Sequence, residues 1–264
     1  MKRTNKYFIS TLICILCLFI LATSAFASDT LAGATAWYFK KTKDHTQPRL
    51  ESGLCFINKY DCCYVDASHG DDCEEKVLYL TFDAGYENGN VEKILDAMKS
   101  EDVKGSFFIL ENIIQRNTDL VKRMADEGHL ICNHTTRHRD MSRVTDKETF
   151  GKELSKLEQI YADATGYTMA KIYRPPEGRF SELNLIHATE LGYKTVFWSF
   201  AYADWDNKNQ MSAEDAKEKI MSCTHNGAII LLHPTSSTNA EIMVDIIREW
   251  KARGYRFETL DKLK

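Results

Sequence analysis

From Val77 onward, short apolar runs alternate with stretches whose apolar residues recur every three or four positions. The runs Val77–Asp83, Lys104–Leu110, His129–Asn133, Lys171–Arg174, Lys194–Phe200, Ala228–His233 and Tyr255–Leu260 predict seven strands. Most are continuously apolar rather than alternating, as strands covered on both faces are. Between them, Val91, Ile94, Leu95 and Met98 form one helical stripe, and Leu120, Val121 and Met124 form another. Thr145 and Glu148 have capping-box spacing ahead of a helix running toward Ala164. Ser181, Ser212 and Asn239 are the expected caps of three more helices. Gly128, Gly166, Gly192 and Gly254 fall where helices should end.

Seven strands alternating with six helices call for parallel pairing through right-handed crossovers. An open doubly wound sheet and a closed barrel both satisfy that requirement. The loop after the first strand has no G-x-G-x-x-G fingerprint, which removes one reason to choose the open sheet. The polar residues at the strand ends, described below, favour the barrel. The expected class is therefore α/β, a seven-stranded β/α barrel of TIM-barrel type preceded by an N-terminal extension.

The chain has 264 residues, 44% of them hydrophobic, enough to bury one large core. A formal charge of −4 argues against a nucleic-acid partner held by general phosphate attraction. The first residues carry Lys2, Arg3 and Lys6, and an uncharged apolar run, Phe8–Phe26, follows and ends in Ala25-Phe26-Ala27. That is the arrangement of a secretory signal with its small-residue cleavage site, and an uncleaved membrane anchor is the alternative. Either way the remainder is expected outside the cytoplasm, secreted or associated with the cell envelope, touching membrane only through this segment. The expected division is 1–27 signal or anchor, 28–75 an N-terminal extension with a cysteine cluster, and 76–264 the α/β domain.

Cys55, Cys62, Cys63 and Cys73 cluster in the extension, with Cys132 and Cys223 further on. An exported chain can oxidise such a cluster, so one or two disulfides are expected, with free thiols as the alternative. The adjacent pair Cys62-Cys63 lacks the gap of a zinc knuckle.

Five of the seven predicted strands deliver an ionisable side chain at the carboxyl end: Asp83, His134, Arg174, Asp204 and His233. In a β/α barrel those ends meet on the face where active sites are built. His134 and His138, four residues apart, could present two imidazoles to one divalent ion while leaving positions open for water and substrate. His45, His69, His129, His187 and His225 lack such company and are read as surface or structural. Trp198 and Trp205 are read as core or barrel-mouth packing, with sugar stacking the alternative at Trp205.

Thr81-Phe82-Asp83-Ala84-Gly85, His134-Thr135-Thr136-Arg137-His138, Arg174-Pro175-Pro176-Glu177-Gly178, Asp204-Trp205 and Leu231-Leu232-His233 stand in an order that resembles the polysaccharide deacetylase family, carbohydrate esterase family four or the NodB-homology domain. Gly85-Tyr86-Glu87-Asn88-Gly89, Phe197-Trp198-Ser199 and the segment Trp37–Lys41 look like its delta-lactam-biosynthetic muramoyl de-N-acetylases of spore-forming bacteria. The resemblance implies a distorted seven-stranded β/α barrel and a metal-dependent N-deacetylase acting on peptidoglycan glycan strands, N-acetylmuramic acid first, and releasing acetate. It implies Asp83 as base, Arg174 as the partner that orients it, His233 as acid supported by Asp204, and His134 and His138 as metal ligands. The metal would be zinc, with manganese, cobalt or magnesium as alternatives, and the protein a monomer. The family's first motif usually carries a second aspartate as a metal ligand, and Ala84 stands there instead. The muramoyl subgroup that the chain resembles also lacks that aspartate, so weaker or less selective metal binding, rather than inactivity, is the expected consequence. The alternatives are a chitin or xylan deacetylase of the same family, or a glycan-binding relative that lost catalysis through Ala84.

Overall fold

The structure, a computed structural model, describes residues 31–42 and 44–263; the expectations placed on residues 1–27 lie outside these. Its strands are β1 (Thr35–Ala36), β2 (Cys62–Cys63), β3 (Lys76–Ala84), β4 (Ser106–Ile109), β5 (Leu130–Asn133), β6 (Ile172–Tyr173), β7 (Arg179–Phe180), β8 (Lys194–Val196), β9 (Ala228–Leu232) and β10 (Tyr255–Phe257). Its helices are α1 (Asn90–Ser100), α2 (Glu111–Arg116), α3 (Thr118–Asp126), α4 (Lys147–Thr165), α5 (Glu182–Glu190), α6 (Ala213–Cys223) and α7 (Ser237–Ala252). All seven expected strands form, and the crossover after β4 splits into two helices rather than one.

The strands run parallel in the order β10-β3-β4-β5-β6-β8-β2, with β9 on β3. The sheet curls round, but β8 and β9 do not zip together. They meet beyond β8 through one bridge, Phe200 to Ile230. The extension fills the gap: β2 pairs with β8, and Val65 bridges Ala228 at the start of β9. The extension is thus built into the barrel wall, which strand periodicity in so polar a segment does not reveal.

The barrel explains why its strands are apolar on both faces. Along β3, Val77 and Tyr79 turn inward to meet Phe108, Cys132, Ile172, Val196 and Ile229 from neighbouring strands. Leu78, Leu80 and Phe82 turn outward against α1 and α7. Trp37 closes a separate apolar cluster between extension and barrel, stacking on Phe197 at 4.5 Å and donating its Nε1 hydrogen to Trp198 O at 3.0 Å.

Three local expectations change. The N-cap of α4 is Asp146, whose carboxylate accepts from Thr149 N, not Thr145. Ser236, not Asn239, caps α7, which frees the Asn239 side chain for the site described next. Ser181 and Ser212 cap α5 and α6 as expected. All six described cysteines are free, so the expected disulfides are absent among the described residues. Cys62 and Cys63 are consecutive on one strand, where side chains leave opposite faces, and burial pushes the Cys63 thiol up to about 12.

Candidate active site

Asp83 sits near the end of β3 and Arg174 immediately after β6. The Arg174 side chain is fully buried, so its charge needs partners on every side. Nη1 donates to Asp83 Oδ1 at 2.8 Å, Nη2 to Thr81 Oγ1 at 2.9 Å and to Phe197 O at 3.2 Å, and Nε to Val196 O at 3.1 Å. The guanidinium also lies 3.9 Å from the centre of the Phe108 ring. These contacts fix Asp83 from behind. Burial would raise its carboxyl pKa, but the charges of Arg174 and His233 outweigh burial and hold it below the usual carboxylate range.

His134 follows β5 in a loop with two non-glycine residues in the left-handed region, Thr135 (φ 71°) and His138 (φ 56°). Strain of this kind collects at functional sites. The His134 Nδ1 hydrogen is given to Arg174 O at 2.9 Å, and burial lowers the ring's pKa to about 4, so the imidazole is neutral near pH 7. Its Nε2 lone pair then faces Asp83 Oδ2 across 3.4 Å. Two lone pairs so placed repel unless a proton or cation lies between them. The His138 ring centre stands 5.1 Å from that of His134.

The donor types here, the neutral His134 imidazole with His138 and an ionised carboxylate close by, suit a divalent cation. Ala84 is buried in the apolar layer outside the sheet and offers nothing. Among the described residues, no three His, Cys, Asp or Glu side chains gather as a metal cage.

Opposite Asp83, His233 follows β9. Asp204 accepts from the His233 backbone N–H at 2.7 Å with Oδ2, and its Oδ1 meets ring Nδ1 at 2.7 Å. Asn239 Nδ2 donates to Asp204 Oδ2 at 2.7 Å and to His233 O at 3.2 Å, and Tyr202 donates its hydroxyl hydrogen to Asn239 Oδ1. Burial opposes charge on His233, but the bond to Asp204 and its charge prevail and raise the imidazole pKa above the ordinary value.

Asp83, His138 and His233 line one cleft of about 560 Å³, together with Glu177, Trp198, Tyr202, Trp205 and Leu231. Trp205 is 61% exposed and meets His233 edge-on, at 6.1 Å between ring centres. It is a cleft wall rather than core, while Trp198 packs against both apolar clusters. All six side chains singled out from the sequence thus converge on one end of the barrel. Sequence reasoning missed Thr81, Tyr202 and Asn239, which hold Arg174 and Asp204 in place. It also gave no role to Glu177, set in the left-handed region at φ 57°. Asn239 was legible only as a cap, because its contact spans 35 residues.

This fold and this site define a deacetylase of the hydrolase class, and the chain belongs to the polysaccharide deacetylase family. The family model matches residues 70–196, a stretch that ends before Asp204 and His233. The chain is 40% identical over 228 residues to the peptidoglycan-N-acetylmuramic acid deacetylase PdaA of Bacillus subtilis, covering 86% of this chain and 84% of that protein. The solved structure of PdaA, described as a family 4 carbohydrate esterase, superposes with a TM-score of 0.82 at 38% identity, covering 88% of this chain and 97% of that one. A peptidoglycan-N-acetylglucosamine deacetylase of Bacillus cereus is 35% identical over 188 residues, 70% of this chain and 66% of its own.

Proposed function

We propose that this protein hydrolyses the N-acetyl groups of amino sugars in peptidoglycan, N-acetylmuramic acid first, on a path to muramic delta-lactam in the spore cortex. The observation that carries the chemistry is the placing of an ionised Asp83 and a protonatable His233 on one cleft, each held from behind by a buried partner. The choice of sugar rests on likeness to PdaA. Work on cell-wall glycan agrees with an export signal in residues 1–27.

His134 and His138 would hold a divalent ion, zinc before manganese, cobalt or magnesium, and such an ion supplies polarisation of the acetyl carbonyl and a more acidic water. Asp83 Oδ2, turned toward His134, takes a proton as water adds to the carbonyl carbon. Arg174 keeps that carboxylate ionised and aimed. His233 gives its Nε2 proton to the sugar nitrogen as the carbon–nitrogen bond breaks, because Nδ1 is engaged by Asp204. Acetate and a free amine result. Glycan strands stripped of stem peptide, supplied with each metal after chelation, should yield acetate and new amines in equal amounts, mainly on muramic acid. Predominant release from glucosamine would overturn the sugar preference, and binding without release would favour the non-catalytic alternative.

A further inference from the structure

The loop that bears His134 and His138 holds Thr135 and His138 in the left-handed region, at φ 71° and 56°. Residues other than glycine keep such conformations only where their surroundings impose them. An imposing contact comes from outside the loop, from α4. Glu153 Oε1 accepts from Thr136 N at 2.9 Å and from the Thr136 hydroxyl as well. Thr136 is buried and stands two residues from each histidine. One carboxylate oxygen thus takes both hydrogen-bond donors of the residue midway between the two imidazoles.

The next residue of α4 holds the start of the loop. Leu154 O accepts from Asn133 Nδ2 at 2.9 Å, one residue before His134. From α2, Glu111 N donates to Thr136 O at 3.0 Å. The helix that supplies the clamp is itself anchored, since Leu154 packs in a buried cluster with Met141, Val144, Phe150 and Tyr173. Without the Glu153 side chain, the buried Thr136 N–H would lose its acceptor and the loop its tie to α4. An ion between His134 and His138 would depend on that tie more than usual. Ala84 brings no third ligand, and two imidazoles bind well only when already spaced for one ion.

We propose that Glu153 is a positioning residue for metal binding, keeping His134 and His138, through Thr136, at the spacing that one divalent ion needs. Its part is indirect, carried by the loop rather than by a bond to the ion. The inference rests on the reading of His134 and His138 as ligands, and the test separates the two. Cobalt(II) is titrated into the metal-free full chain and read by its visible absorption, with a chromophoric chelator as competitor. Glu153→Ala should bind about tenfold more weakly, as loss of a ligand-orienting group does, and should show an altered absorption band. Glu153→Gln keeps an oxygen for both Thr136 donors and should bind as the parent does. Thr136→Val loses the hydroxyl bond, keeps the N–H bond and should fall between. Thermal melts establish folding, and Thr136→Val keeps the test valid should Glu153→Ala misfold. Parent-like affinity and spectrum in Glu153→Ala, or in Thr136→Val where only that variant folds, would overturn the positioning role alone. A parent that binds no cobalt would overturn both this role and the assignment of the two histidines as ligands.

Discussion

Asp204 grips His233 twice, its Oδ2 accepting from the backbone N–H and its Oδ1 meeting ring Nδ1, both at 2.7 Å. One buried carboxylate thus fixes where the imidazole stands, which tautomer it takes and how firmly it keeps its second proton. Asp204→Asn preserves the shape and removes the charge. kcat should fall by about 10²–10⁴, the usual worth of a positioned proton donor. The sign of the pH effect follows from the raised His233 pKa: the acid form is present below it and lost as pH rises through it. The alkaline limb of the kcat profile should therefore move to lower pH in Asp204→Asn, and a steady-state pH series checks this.

Removing the ion should abolish activity, and zinc should restore it. His134→Ala and His138→Ala should each raise the metal concentration for half-maximal activity by about 10–100-fold or more, since even groups that only orient ligands are worth that much. Metal titration after chelation reads the effect.

His129 is buried, its Nδ1 accepting from Gly105 N at 3.1 Å, and burial lowers its pKa from 6.5 to about 4. Between those values the unfolded chain binds the proton and the folded one does not. Stability is complete above pH 6.5 and falls as pH drops toward 4, by roughly 3 kcal/mol from this residue. Melting temperature should decline across that window, and His129→Gln should flatten the slope.

Trp37 joins the extension to the barrel through its stack on Phe197. Trp37→Ala should cost about 3–5 kcal/mol of unfolding free energy, as large aromatic truncations in cores do. Urea unfolding measures it. A loss below about 1 kcal/mol would show that the extension packs loosely against the wall.

The barrel strands were legible because burial on both faces writes continuous apolar runs, and the observed β3 and β9 lie within one residue of the sequence reading. The chemistry was legible because each site residue lies at or beyond the carboxyl end of a strand, a position the fold itself makes convergent. What escaped was non-local. Cys62–Cys63 pairs as a strand only because the β8–β9 gap needs filling, and nothing in a two-residue segment signals that. Asn239 looks like any helix cap until the fold brings it to Asp204. Trp205 looked like packing because apolar character does not show which way a ring at a barrel mouth will turn.

The central claim is that Asp83 takes the proton from the attacking water. Acetate released from peptide-free peptidoglycan strands by metal-loaded protein, compared with the Asp83→Asn variant, tests it most directly. We expect the parent to release acetate and amine one for one, and the variant to lose at least a hundredfold in kcat while still binding the strands. Acetate release undiminished by Asp83→Asn would contradict the account.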